Sequence, residues 1–455
     1  MTTPQSDTRG GYTRRAVLGA VGLGLSSGCV QRTRGLANRR SPEQVALTIK
    51  TVPADTDRTA TRIARLLTAN LEAVGIDAEI ALLSEDELYR DVLINHEFDI
   101  YVARTETQDD PDALRELLHS SFNEEAGWQN PFGYSDLTMD ELLEEQRKRT
   151  RGRRETVFDI QRRIAQEHPF TVIGHVESIN AIRRDRFRGW EAFDPTTPTS
   201  CLQLEPRSDE IDTLSVTSTD ERVTRNFNPI AVEFRSNQQI TELLYDPLAH
   251  RNGGESLPWL AESWSWDTGV NTTATVNLRS ASHWHDGTDL TADDVVFTYR
   301  FLQDTTMDDG ERTVPAPRFR GQTSLVEAVE RIDHSTVKFE FGHTSPEVAE
   351  RAFTVPVLPA HVWEERTAIT DLPGFEIFDG ATEALVWENP EPVGSGPMQF
   401  VSSQTDEEVI LRTFDDHVLS TTPEEIGGGF GGGIRFDELH VLRSPTDETA
   451  IEFVA

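Results

Sequence analysis

Leu257-Pro-Trp-Leu-Ala-Glu-Ser-Trp-Ser-Trp266, Thr275-Val-Asn-Leu-Arg279 and His283-Trp-His-Asp-Gly-Thr-Asp-Leu-Thr-Ala-Asp-Asp-Val-Val-Phe297 form one nearly continuous stretch of the chain. Ala274, Val276 and Leu278 alternate with polar neighbours, the period of a half-buried strand. Asp286-Gly287 marks a turn, because glycine takes positive φ at little steric cost. Thr291 with Asp294 reads as a capping box, and Val295, Val296, Tyr299 and Leu302 follow at helical spacing. The stretch therefore predicts strand, tight turn and capped helix.

The wording of these residues resembles the extracellular solute-binding protein family 5, which includes dipeptide-, oligopeptide- and nickel-binding proteins that feed ABC importers. The resemblance implies a large bilobed α/β fold of the periplasmic-binding-protein type with three domains. Further motifs carry it along the chain. Phe227-Asn-Pro229 resembles the family's turn after its first strand, and Thr241-Glu-Leu-Leu-Tyr-Asp-Pro-Leu248 its following helix. Val393-Gly-Ser-Gly-Pro397 resembles the return between lobes, with Met398 where an aromatic is usual.

Working outward, Val45, Leu47, Ile49 and Thr51 predict a strand, and Ile63, Leu66, Leu67, Leu71 and Val74 a helix that Gly75 ends. Ile76, Ala78, Ile80 and Leu82 predict a second strand, Ser84 with Glu87 a helix start, and Phe98–Ala103 a third strand. Such a β-α-β order calls for parallel pairing. From Leu47 to Trp190 the wording resembles the family's C-terminal lobe, including Asp109-Asp-Pro-Asp112, Gly133-Tyr-Ser135 and the closing Arg186–Trp190. In ordinary members that lobe follows the 257–302 segment. We therefore expect a circular permutation. It places a C-terminal-type lobe at 45–190, a connection at 191–212 and an N-terminal-type half at 213–455. Within that half, 213–245 and 380–455 make the first lobe and 246–379 an inserted subdomain. Asp447–Ala455 predicts a helix, and we expect the family's domain to continue past it.

The N-terminus predicts export. Thr13-Arg14-Arg15 is a twin-arginine pair ahead of the apolar run Ala16–Leu25, which is too short to span a bilayer. Leu25-Ser-Ser-Gly-Cys29 resembles a lipobox, with Cys29 as the lipidated residue. On this reading 1–29 is a signal, 30–44 a polar tether, and the protein sits on the extracellular face of the membrane as a haloarchaeal-type lipoprotein.

Composition narrows the partners. A formal net charge of −35 argues against nucleic acid and anionic lipid. Lys50, Lys148 and Lys338 are the only lysines, so the surface is acidic and lysine-poor, as expected of a protein working in high salt. Two cysteines, Cys29 and Cys201, leave no disulfide scaffold. His283 and His285 would share a strand face, but further metal ligands are not identifiable, so no metal or other cofactor is expected. Hydrolase and dinucleotide signatures are absent from the sequence, and Gly427–Gly433 lacks the Lys-Ser/Thr of a phosphate loop, leaving a hairpin loop as its reading.

In peptide-binding members an aspartate four residues before the Asp-Pro proline resembles a counter-ion for the ligand's α-amino group. Here that position is Thr107, with Glu106, Asp109 and Asp110 as substitutes. The alternative reading of Asp109–Asp112 is a solvated acidic turn that caps the next helix. From the opposite lobe Phe227, Asn228, Tyr245 and the Gly394-Ser395-Gly396 backbone are expected to line the ligand, whereas Trp264, Trp266 and Trp284 read as packing. The expected function is a monomeric, lipid-anchored substrate-binding protein. It would hand a solute, foremost a di- or oligopeptide, to an ABC permease, without catalysis. A surface receptor for signalling and a secreted enzyme on the same scaffold are the alternatives.

Overall fold

The structure, a computed structural model, describes residues 45–104, 110–123, 125, 129–175, 181–191, 193–194, 197–232, 240–252, 254–307, 313–370 and 381–454. Leu47–Ala455 form one compact unit; of the preceding residues only 45 and 46 are described. The twin-arginine pair, the apolar run and Cys29 lie outside the described residues.

The first part of the chain folds as anticipated from its period. Strands β1 (Ala46–Thr51), β2 (Asp77–Leu82) and β3 (Ile100–Val102) form a sheet in the order β2-β1-β3, with β1 and β3 parallel. Helix α1 (Arg58–Ala73) begins under the Asp57 carboxylate, which accepts from the N–H groups of Thr59 and Ala60. It ends at Gly75, whose φ of 86° lets the N–H of Ile76 reach the carbonyl of Leu71. The buried face of α1 is set by Ala60, Thr61 and Ala64, with Ile63, Leu67 and Leu71 partly covered. Leu66 and Val74, expected on the apolar stripe, are 64% and 71% exposed, because the sheet reaches only one narrow side of the helix.

Next come three helices, α2 (Ala113–Leu118), α3 (Leu137–Lys148) and α4 (Arg153–Glu167), around a small core of Leu118, Met139, Leu143 and Ile160. The connection at 191–212 is not a free linker. Its 3₁₀ turn Pro198–Gln203 buries Cys201 and Leu202 in the main core, and Glu205–Pro206 pairs with Phe187–Arg188.

The anchor stretch forms β5 (Ala261–Thr268), β6 (Thr272–Leu278) and helix α5 (Ala292–Gln303), after β4 (Thr213–Ser218). Gly287 takes φ 84° in the turn, and Thr291 and Asp294 complete the capping box. β7 (Ala328–Arg331) and β8 (Thr336–Glu340) extend the sheet in the order β7-β8-β6-β5. In its cross-strand rows Val276 sits between Trp264 and Val337, and Ala274 between Trp266 and Phe339. Trp264 and Trp266 lean on Phe353, and Trp284 is buried, so all three pack as expected.

A second sheet combines β9 (Met398–Gln404), β10 (Glu408–Thr413), β11 (Glu438–Arg443) and β4, in that order. Its first pairs are antiparallel, while β11 and β4 run parallel. The glycine-rich segment between β10 and β11 does more than close a hairpin. It follows a short helix (Val418–Thr421) and seats Phe430 edge-on against Trp259, with ring centroids 5.2 Å apart. Among the described residues no helix is long and apolar enough to cross a membrane.

Candidate functional site

The return Gly394-Ser395-Gly396 is where the second sheet meets the anchor stretch. A Cβ on Gly394 or Gly396 would overlap the carbonyl groups of Leu244 and Leu243, so both positions require glycine. His285 holds the return in place. Its N–H donates to the Gly394 carbonyl at 2.7 Å, Nδ1 accepts from the Gly394 N–H at 3.3 Å, and Nε2 lies 2.9 Å from the Gly396 carbonyl. This pattern assigns the proton to Nε2 and the neutral form to the ring. Burial pushes the His285 pKa down to about 4, against the hydrogen bond that Nε2 donates to the Gly396 carbonyl. Ser395 is buried, and its Oγ accepts from the Asp246 N–H at 3.3 Å.

Phe227, Asn228 and Tyr245 lie behind this return, each nearly or fully buried. The Asn228 amide donates to the carbonyls of Ala384 and Trp387, both at 2.7 Å, and its Oδ1 accepts from Ile230 at 2.8 Å. The Tyr245 hydroxyl accepts from Asn389 at 2.7 Å, and Phe227 stacks obliquely on Phe400 with centroids 5.0 Å apart. The structure thus commits the polar groups of Asn228 and Tyr245 to the framework. These residues come together, but as the joint between 226–245 and 384–400.

Sequence reasoning missed a polar cluster beside them. Asp246, buried, accepts from Trp259 Nε1 at 2.7 Å and lies 3.3 Å from His417 Nε2. His250 meets the Trp259 ring edge-on at 4.4 Å, and burial lowers its pKa to about 4. The only sequence signal was an aspartate inside an otherwise apolar helix end. His283 lies apart, 3.2 Å from Asp289, so the two histidines of the anchor stretch do not share a ligand. No group of three or more metal-ligating side chains occurs among the described residues.

Of the expected counter-ion residues, Glu106, Thr107 and Asp109 lie outside the described residues. Asp110 is buried, and Arg153 donates to its carboxylate at 2.5 Å. The acidic turn is therefore not solvated at Asp110 and Asp112. Asp112 is fully buried, where it accepts from Arg147 Nε at 2.8 Å and Arg351 Nη1 at 2.6 Å. Burial alone would raise its pKa; the two guanidinium groups overrule that and hold it far below the usual carboxylate range. Arg351 also donates to Glu116 at 2.9 Å. With Arg320 on Glu125 and the Ser345 N–H on the Arg147 carbonyl, this cluster fastens the helical segment to 317–351.

Residues 255–452 match the model of the bacterial extracellular solute-binding proteins, family 5, middle region. The peptidoglycan-binding protein YepA of Agrobacterium fabrum is 25% identical over 190 residues, 41% of this chain and 27% of that one. The chain thus spans about a quarter of that relative's length. The ABC transporter substrate-binding protein CtaP of Listeria monocytogenes aligns at TM-score 0.39 and 27% identity, over 52% of this chain and 41% of that chain. The oligopeptide-binding protein AppA of Bacillus subtilis, solved with a nonapeptide, aligns at TM-score 0.38 and 23% identity, over 52% and 41% respectively. The match over residues 255–452 falls on the strands, turn and capped helix that frame the glycine return, and in this part the chain is similar to the extracellular solute-binding proteins of family 5.

Proposed function

We propose that the chain is the solute-capturing component of an ABC importer, held at the outer face of the membrane through Cys29 and acting as a monomer. The observation that carries this reading is the family match over 255–452, which includes the glycine return and the histidine that clamps it. Binding proteins of this kind work by closing two lobes on a solute and presenting the closed form to a permease. In this reading Glu106 or Asp109, beside Thr107, meets an ammonium group of the solute, since Asp110 is already taken by Arg153. The Gly394–Gly396 return, backed by Phe227, Asn228 and Tyr245, supports the opposite wall. A di- or oligopeptide is the solute class we favour, on the family resemblance, and the permuted order of lobes is part of the same proposal.

The test is a thermal-shift screen of the purified chain in multimolar KCl against di- and oligopeptides, sugars and Ni²⁺. A ligand that binds only the folded state raises the melting temperature in proportion to RT ln(1 + [L]/Kd). A shift with peptides alone supports the proposal. A shift with another class overturns the peptide assignment, and a cooperative melt unmoved by every class overturns the binding role.

A further inference from the structure

The segment carrying α2 faces Gln303 and residues 313–326 across an open cleft of about 370 Å³, within the range of small-molecule sites. Arg115, Phe122 and Glu125 line one side, and Gln303, Arg320 and Val326 the other. The two arginines share one aromatic ring. The guanidinium carbon of Arg115 lies 5.1 Å from the Phe122 centroid and that of Arg320 lies 5.8 Å from it. Arg320 already grips a carboxylate, since its Nε and Nη2 donate to the two Glu125 oxygens at 2.9 and 2.8 Å. Such a fork matches any carboxylate in the same geometry.

Arg115 is less well served. Its Nε donates to Glu144 at 2.7 Å, but its Nη1 is enclosed by protein and has no partner among the described residues. A buried donor left unpaired is unfavourable, most of all on a charged group. Its surroundings therefore favour the arrival of an acceptor.

We propose that this cleft binds a small organic carboxylate. The acid group displaces Glu125 from Arg320 and draws Arg115 toward it, and an apolar tail lies along Phe122 and Val326. The site is separate from the wall residues named above and does not depend on the transport reading, because it is tested by direct binding.

Calorimetric titration of the full chain with phenylacetate, and with the neutral isostere phenylacetamide, tests it. Phenylacetate should bind and phenylacetamide should not. Glu125→Gln removes the competing carboxylate and should tighten phenylacetate several-fold. Arg320→Gln and Arg115→Gln should each weaken it at least tenfold. Arg115 is largely enclosed, so its variant is read only alongside Arg320→Gln and a melting curve. Equal binding of acid and amide, no binding by either wild type or Glu125→Gln, or an unchanged Kd in both Glu125→Gln and Arg320→Gln overturns the site.

Discussion

His285 Nε2 lies 2.9 Å from the carbonyl oxygen of Gly396, while its Nδ1 accepts from the amide of the same three-residue return. A single neutral imidazole thereby fixes both ends of the segment that joins the anchor stretch to the second sheet. Protonation would put a hydrogen on Nδ1, facing the Gly394 N–H, and break the clamp.

Stability should therefore fall on mild acidification. His285 and His250 have folded pKa values of about 4, against 6.5 for the free side chain. Below 6.5 the unfolded chain takes up protons that the fold refuses. The contribution is complete above 6.5, declines as pH falls toward 4, and together amounts to several kcal/mol, as an order-of-magnitude figure. Urea unfolding at pH 7.5 and pH 4.5 measures it. In His285→Gln roughly half of the pH dependence attributed to the pair should remain, carried by His250. An identical pH profile in that variant would refute the assignment.

The two kinds of glycine should respond differently to alanine. At Gly394 the added methyl overlaps the Leu244 carbonyl, a clash within packed backbone that should cost about 3 kcal/mol or more. At Gly287 the space is open and only the positive φ opposes the side chain, so about 1 kcal/mol is expected. Equal losses in the two variants would contradict the steric argument.

Arg351→Met removes one of the two guanidinium groups on Asp112 and the partner of Glu116. Breaking one member of a buried ionic cluster should cost roughly 3–5 kcal/mol. Since the pair is shielded from solvent, the loss should change little between 0.1 and 1 M salt, by the usual screening argument. A loss under about 1 kcal/mol, typical of exposed pairs, would show that the cluster is wet.

Asn228→Ala should cost roughly 2–4 kcal/mol, because one buried carbonyl, one half-buried carbonyl and one buried N–H lose their partner at once. Thermal melting measures it. If Asn228 instead faces the solute without structural duty, melting should stay unchanged and ligand affinity alone should drop.

Much of the fold could be read from period and caps. The Thr291–Asp294 box, the Gly75 end of α1 and the alternation around Val276 each depend on nearest neighbours in sequence, and each is realised. What could not be read is which of several apolar residues a partner covers. Leu66 and Ala64 both fit a helical stripe, but the small alanine faces the sheet and the leucine faces water. Asp112 posed the same difficulty with charge. As part of an acidic run it looked solvated, yet Arg351, which buries it, lies 239 residues away. The framework roles of Asn228 and Tyr245 likewise depend on distant partners at 384–389.

The second sheet has a temporal consequence. β4 takes its hydrogen bonds from β11, with Thr213 opposite Glu438, so its only sheet partner among the described residues is made more than two hundred residues later. On a ribosome extending from the N-terminus, β4 emerges as a bare strand and stays unpaired until β11 has been synthesised. The intervening sheet of β5–β8 pairs locally and can form during that wait. Completion of the β4 pairing is then a late, long-range closure of the kind that sets slow folding rates. For that interval the chain carries an open edge, on which a holding chaperone or premature aggregation would compete.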